Sequence, residues 1–98
     1  APATMRAADY LLGRPLKYND GFFFYGVYYC TVGMFQVGGR HWDVTRDHIT
    51  SLLLSRQQSD GSWNAQDGSE ASFGPIYATS MSVLALAVEY QYLPIYQR

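Results

Sequence analysis

The side chains that most often carry out catalysis are few in this chain, and their spacing builds no catalytic group. Cys30 is the only cysteine, and it lies in an uncharged, aromatic stretch where burial would raise the thiol pKa and leave it unreactive. His41 and His48 are separated by about two helical turns, so their imidazoles are expected to share a helix face. Two histidines without surrounding carboxylates are typical of a solvated pair. We therefore expect no metal, no cofactor and no catalytic residue in this chain.

The carboxylates are scattered in the same way. Asp43 and Asp47 are one helical turn apart, whereas Asp60, Asp67 and Glu70 are spread along a polar loop. These carboxylates form no acidic cluster, and Asp60 is a candidate general acid only in the sense that any loop carboxylate is.

One local motif has a clear physical role, and that role is structural. Gln57, Asp60, Gly61 and Trp63 follow an aliphatic run at the predicted end of a helix. An amide at that position can bind backbone groups that the helix end leaves free, and glycine permits a tight turn. The tryptophan can then fold back and bury a large ring. We interpret these four residues as elements that join one helical hairpin to the next.

Aromatic residues are unusually dense, with 9 Tyr, 5 Phe and 2 Trp among 98 residues. Two predicted helices carry the side chains that could line a cavity with polar-tipped walls. These candidate ligand-binding residues are Tyr25, Tyr28, Tyr29, Tyr77, Ser80 and Met81. The alternative, which the density of aromatic residues favours, is that the rings fill the space between packed hairpins.

Helical periodicity and helix-breaking residues predict four helices, at about residues 4–12, 22–37, 42–57 and 76–93. Gly38 and Gly39 are expected to end the second helix, and Pro75 occupies a first-turn position that suits its fixed φ. The segment between the third and fourth helices, residues 58–74, is predicted to be a long polar loop. The second helix is apolar almost all round and should be buried. The alternative for the aromatic start of this helix is a β-strand. The tyrosines and glycines of the same stretch argue against a transmembrane span.

An internal repeat organises these helices. Residues 8–12 parallel residues 50–54, and residues 25–28 parallel residues 77–80. The offsets are about 42 and about 52 residues, because the second loop is longer. The order is outer helix, loop, inner helix, twice over. We predict an all-α chain in which residues 1–98 are a single segment of two α-hairpins, at about residues 4–37 and 42–93.

Composition excludes some classes of partner. The net charge is −1 and charged residues make up 15% of the chain, with no run of one sign. Such a surface has no electrostatic footprint for nucleic acid. A hydrophobic content of 48% is typical of a folded, soluble protein. Nothing in the sequence indicates the compartment.

The stretch from Gln57 to Trp63 fits the pattern Gln-x-x-x-Gly-x-Trp, preceded by three leucines at residues 52–54. It resembles the QW repeat of squalene–hopene cyclases and related terpenoid cyclases. The arrangement of hairpins is similar to that of the prenyltransferase and squalene-cyclase repeat family. The resemblance implies an α/α-toroid, a ring of α-hairpins whose inner helices face a central cavity. It also implies an isoprenoid or other apolar ligand at the inner-helix aromatics, where ring faces can stabilise a carbocation.

The chain departs from the catalytic patterns of that family. The Asp-x-Asp-Asp acid of the cyclases is missing, and Tyr28 stands two residues before Cys30, where the zinc-dependent prenyltransferases have an aspartate. The resemblance therefore implies a repeat segment, taken to be C-terminal, that acts as a binding or scaffold element. The alternative is part of a terpenoid cyclase or prenyltransferase whose catalytic residues lie in other repeats.

Two hairpins leave apolar faces uncovered, because repeat units bury their surface mainly against neighbours. Self-association, or the remaining repeats of a longer chain, is expected to cover these faces. A two-fold dimer is the simplest such association.

Overall fold

The computed structural model describes residues 2–66 and 68–91, and every regular element within these residues is a helix. The elements are α1 (Pro2–Leu12), α2 (Phe23–Val37), α3 (Gly39–Arg56), α4 (Gly68–Ala71), α5 (Gly74–Leu86) and α6 (Val88–Gln91). The predicted all-α class is confirmed, and α2 is helical throughout its aromatic start. Within the described residues, no helix combines the length and the apolar character needed to cross a membrane.

A single glycine separates α2 from α3. Gly38 has a φ of 78° and a ψ of −166°, a conformation that favours glycine. Its N–H donates to the Met34 carbonyl at 3.0 Å, and its carbonyl accepts from the Trp42 N–H at 3.2 Å. Because one residue reverses the chain, α3 begins at Gly39. The predicted start at Trp42 was three residues late.

The second predicted hairpin contains more and shorter helices than the sequence pattern indicates. The loop predicted for residues 58–74 contains the short helix α4. The last helix begins at Gly74 with Pro75 in its first turn, but it ends at Leu86. Ala87, with a φ of −94° and a ψ of 0°, separates α5 from α6, so the single helix predicted for residues 76–93 is wrong. Its last residues, 92 and 93, lie outside the described part.

Helix α2 lies at the centre of the packing and makes its most extensive contacts with α3 and α5, while α1 packs against α3 and α2. The main core joins α2, α3, α5 and the loop before α4. It contains Phe23, Phe24, Val27, Ile49, Leu53, Trp63, Ala78 and Ala85. A second, smaller core contains Ala8, Met34, Trp42 and Val88.

The prediction that α2 is buried all round is wrong for one of its sides. Phe24 and Val27 are fully buried, but Tyr25 and Tyr29 on the same helix are 52% and 55% exposed. The reason is that α3 and α5 cover only the sides of α2 that face them. The uncovered side therefore presents aromatic rings to solvent.

Candidate functional site: a tyrosine cluster beside a buried carboxylate

The start of α2 is capped by a carboxylate from a distant part of the chain. Glu70 in α4 is only 3% exposed, and it accepts from the backbone N–H groups of Phe24 at 3.0 Å and Tyr25 at 2.9 Å. The N-cap residue, Phe22, has a left-handed φ of 55° and provides no side-chain cap. Glu70 therefore satisfies two of the free donors at the helix start, and its negative charge lies at the positive end of the helix dipole.

The same carboxylate binds a tyrosine of α5. The Tyr77 hydroxyl donates to Glu70 Oε2 at 2.7 Å. Burial, followed by the hydrogen bond and charge of Glu70, raises the pKa of Tyr77 to about 12. Tyr77 therefore stays protonated and holds α5 against the start of α2. Residue Glu70 thus joins three elements, α2, α4 and α5, through one side chain.

Three tyrosines of α2 extend from this point along the exposed side of the helix. The Tyr25 and Tyr29 rings have centroids 4.7 Å apart, and the Tyr28 and Tyr29 rings 5.1 Å apart. Glu70 Oε2 accepts from both the Tyr25 backbone N–H and the Tyr77 hydroxyl, so Tyr77 lies beside the start of this row of rings. We call Tyr25, Tyr28, Tyr29 and Tyr77 the tyrosine cluster. It comprises the four tyrosines among the six candidate ligand-binding residues.

The other two candidates lie elsewhere. Ser80 is exposed and lines a shallow groove with Asp60, Ile76 and Thr79. Met81 is partly buried and packs against the main core. The tyrosine cluster, as defined above, includes neither side chain.

Deprotonation of Tyr77 at alkaline pH should remove its hydrogen bond to Glu70 and lower the stability of the fold. A folded-state pKa of about 12, against an ordinary value of 10.0, means that the folded chain holds this proton more tightly than the unfolded chain. Its contribution to stability is complete below about pH 10 and is lost as pH rises towards 12. We expect the free energy of unfolding, measured by urea denaturation across this range, to fall less steeply in Tyr77→Phe than in wild type. Equal slopes would show that Tyr77 does not titrate in this way.

The loop of the Gln57-to-Trp63 motif is held together by its own side chains. The Gln57 amide donates to the Gly61 carbonyl at 2.9 Å, and Gly61 has a φ of 90°. Asp60 accepts from both the hydroxyl and the backbone N–H of Ser62, which lowers the pKa of its carboxyl. The amide therefore stabilises the turn itself, and the prediction that it binds free groups at the end of α3 is wrong.

Trp63 makes the contact with the helix end instead. Its indole N–H donates to the Leu53 carbonyl, one of the last four of α3, at 2.7 Å. Its backbone N–H donates to Thr79 Oγ1 on α5 at 3.0 Å, and its side chain is buried in the main core. Trp63 thus joins the outer and inner helices of the second hairpin.

The histidines and the cysteine have structural surroundings. His41 Nε2 donates to Asp9 Oδ1 at 2.7 Å, and His48 Nε2 donates to the Leu16 carbonyl at 2.8 Å. Both histidines therefore connect α3 to the first hairpin. Cys30 lines a cavity of about 40 Å³ beside α1 and α3, and burial raises the pKa of its thiol. Within residues 2–66 and 68–91, no three His, Cys, Asp or Glu side chains are grouped as they would be around a metal ion.

Glu70 is the residue that sequence reasoning missed. It stands in a Gly- and Ser-rich segment, and the sequence indicates only that it shares a polar loop with Asp60 and Asp67. Its donors lie 45 and 46 positions earlier in the chain, a separation at which no local pattern identifies partners.

Comparisons of the chain with protein-family models, curated proteins and solved structures find no significant match.

Proposed function

We propose that this chain is a helical-hairpin segment acting as a binding and scaffold element, and that its tyrosine cluster takes an apolar ligand of the isoprenoid class. The observation that carries the proposal is the exposure of Tyr25 and Tyr29, each more than half accessible although their rings are in contact. Large aromatic surface left open to water on a folded chain marks a binding surface. Ring faces suit an unsaturated hydrocarbon chain, and phenol hydroxyls suit a polar head group.

Preorganisation supports the same assignment. Glu70 caps α2 at Tyr25 and binds Tyr77, so the backbone beneath the rings is held in place before any ligand arrives. A surface fixed in advance loses less conformational entropy on binding. The aromatic groups of this cluster therefore need little rearrangement to bind.

The packing of the helices supports an α/α-toroid segment as the scaffold. Within the described residues, α2 packs against α5 and α1 packs against α3. This is the pairing expected if α2 and α5 are inner helices and α1 and α3 are outer helices of neighbouring hairpins. Under this proposal the segment contributes wall and binding surface.

The test is a calorimetric titration with farnesol, a fifteen-carbon isoprenoid alcohol, kept below its micelle-forming concentration. We expect saturable binding, and we expect the double variant Tyr25→Ala, Tyr29→Ala to weaken it by about tenfold or more, since each aromatic contact contributes about 0.5–1.5 kcal/mol beyond its buried area. Alanine favours helix at these exposed positions, so α2 should stay folded.

Tyr10→Ala is the matched control, because Tyr10 is 59% exposed but lies on α1. It should bind farnesol as wild type does. Absence of saturable binding to the wild-type chain, or equal affinity of the double variant, would contradict the assignment of the cluster as a ligand site.

A further inference from the structure

The internal repeat allows the two inner helices to be compared position by position. The register that pairs Tyr25 with Tyr77 also pairs Phe24 with Ile76. Phe24 is 1% exposed, whereas Ile76 is 82% exposed. The same register pairs Thr31, which is buried, with Val83, which is 52% exposed. The side of α2 that lies in the core therefore corresponds to an uncovered side of α5.

The opposite sides of the two helices show the reverse pattern. Ala85 is buried in the main core, and its equivalent on α2, Gly33, is exposed. Met81 is partly buried against the same core, and its equivalent, Tyr29, is 55% exposed. Each inner helix is therefore covered on the side where the other is open.

These two open sides define two edges. We call Tyr25, Tyr29 and Gly33 the α2 edge, and Leu54, Ile76 and Val83 the α5 edge. Leu54, on α3, is 57% exposed, whereas its equivalent on α1, Leu12, packs against the smaller core. The second hairpin therefore carries exposed apolar residues on both α3 and α5. The α5 edge is the surface on which a further hairpin would continue the packing already present between α2 and α5.

We propose that a second copy of this chain covers the α5 edge with its own α2 edge, so that copies associate head to tail. The occupant follows from an interface that the chain already contains. Between α2 and α5, large residues such as Phe24 lie in one core with small residues such as Ala78 and Ala85. In the intermolecular contact, Ile76 and Val83 supply the larger side chains, and Gly33 is the small residue that permits close approach.

Because the two edges differ, this contact is heterologous and continues beyond two copies, either closing into a ring or growing as a chain. This inference goes beyond the proposed function, since it requires no ligand. Tyr25 and Tyr29 belong both to the tyrosine cluster and to the α2 edge. The assembly is therefore tested without farnesol and with variants that keep both tyrosines.

Sedimentation velocity of the chain and two edge variants provides the test. Gly33→Glu blocks the α2 edge, and a Cβ at Gly33 meets no atom within 4 Å in the isolated chain. Ile76→Glu blocks the α5 edge at an exposed position in the first turn of α5. A negative charge there interacts favourably with the helix dipole, so the helix should stay folded. Ser51→Glu, at an exposed position on α3 outside both edges, is the control for added charge.

We expect the weight-average mass of wild type and Ser51→Glu to rise past that of a dimer at tens of micromolar. Each edge variant alone should remain monomeric. In an equimolar mixture, the free α5 edge of Gly33→Glu should bind the free α2 edge of Ile76→Glu. The mixture should therefore form dimers and no larger species, because the other edge of each chain is blocked. Circular dichroism and thermal melts verify that the variants fold, and Gly33→Gln and Val83→Glu replace any that does not.

Three results would overturn the proposal. The first is a wild-type chain that stays monomeric at these concentrations. The second is association that stops at a dimer and persists in one of the two edge variants. This result would indicate that two copies pair symmetrically through the edge that the variant leaves unchanged. The third is a mixture that remains monomeric. Failure of the monomeric Ile76→Glu variant, whose α2 edge stays free, to bind farnesol would reject the ligand site alone.

Discussion

Replacing Trp63 with alanine is expected to lower the free energy of unfolding by about 3–5 kcal/mol, the range for truncation of a buried aromatic residue. Trp63 is 2% exposed, and its indole N–H is bound to the Leu53 carbonyl. The substitution leaves a cavity between α3 and α5 and an unpaired carbonyl at the end of α3. For a small domain such a loss is a large part of the total stability. Urea or thermal denaturation monitored by circular dichroism measures it.

Two further variants separate the contributions. Trp63→Phe retains most of the buried ring but loses the indole hydrogen bond, so it should cost less than the alanine variant. Tyr10→Ala, which truncates an exposed aromatic ring on α1 outside both edges, should change the free energy of unfolding by no more than about 1 kcal/mol. An unfolding midpoint of Trp63→Ala equal to that of wild type would show that the ring does not join the two helices.

Replacing Glu70 with alanine should lower the free energy of unfolding by about 2–4 kcal/mol. The substitution removes the acceptor for Phe24, Tyr25 and Tyr77 at once and leaves the start of α2 without a cap. Glu70→Gln should cost less, because its amide oxygen can take the place of Oε2 and still accept from Tyr25 and Tyr77. Only the bond from the Phe24 N–H is then lost, since an amide nitrogen cannot accept it. Urea denaturation at neutral pH, with near-ultraviolet circular dichroism of the tyrosines as a second signal, tests both variants.

Glu89→Ala is the matched control for loss of a glutamate. Its carboxylate lies 4.0 Å from Arg46 at a partly exposed site, a geometry worth about 0–1 kcal/mol. A Glu70→Ala variant no less stable than Glu89→Ala would mean that water caps α2 as well as the carboxylate does. The tyrosine cluster would then lack the fixed base that the proposed binding surface requires.

Local sequence signals determined the helical class and most of the helix positions. The spacing of apolar residues, the glycines at 38 and 39, and Pro75 act within a few residues of where they stand. The structural role of Gly61 also followed from sequence, because its turn depends on its own φ. The break at Ala87 did not, since alanine is a strong helix former and nothing local disfavours helix there.

The tertiary structure alone decided which residues meet. Glu70 became a helix cap, and Trp63 made the helix-end contact expected of Gln57, because the packing of α2 against α3 and α5 brings distant backbone groups to those side chains. The same packing decided that one side of α2 is exposed, although its sequence is apolar almost all round. Burial depends on which neighbouring helices are present, and that information lies in long-range contacts, beyond the reach of helical periodicity.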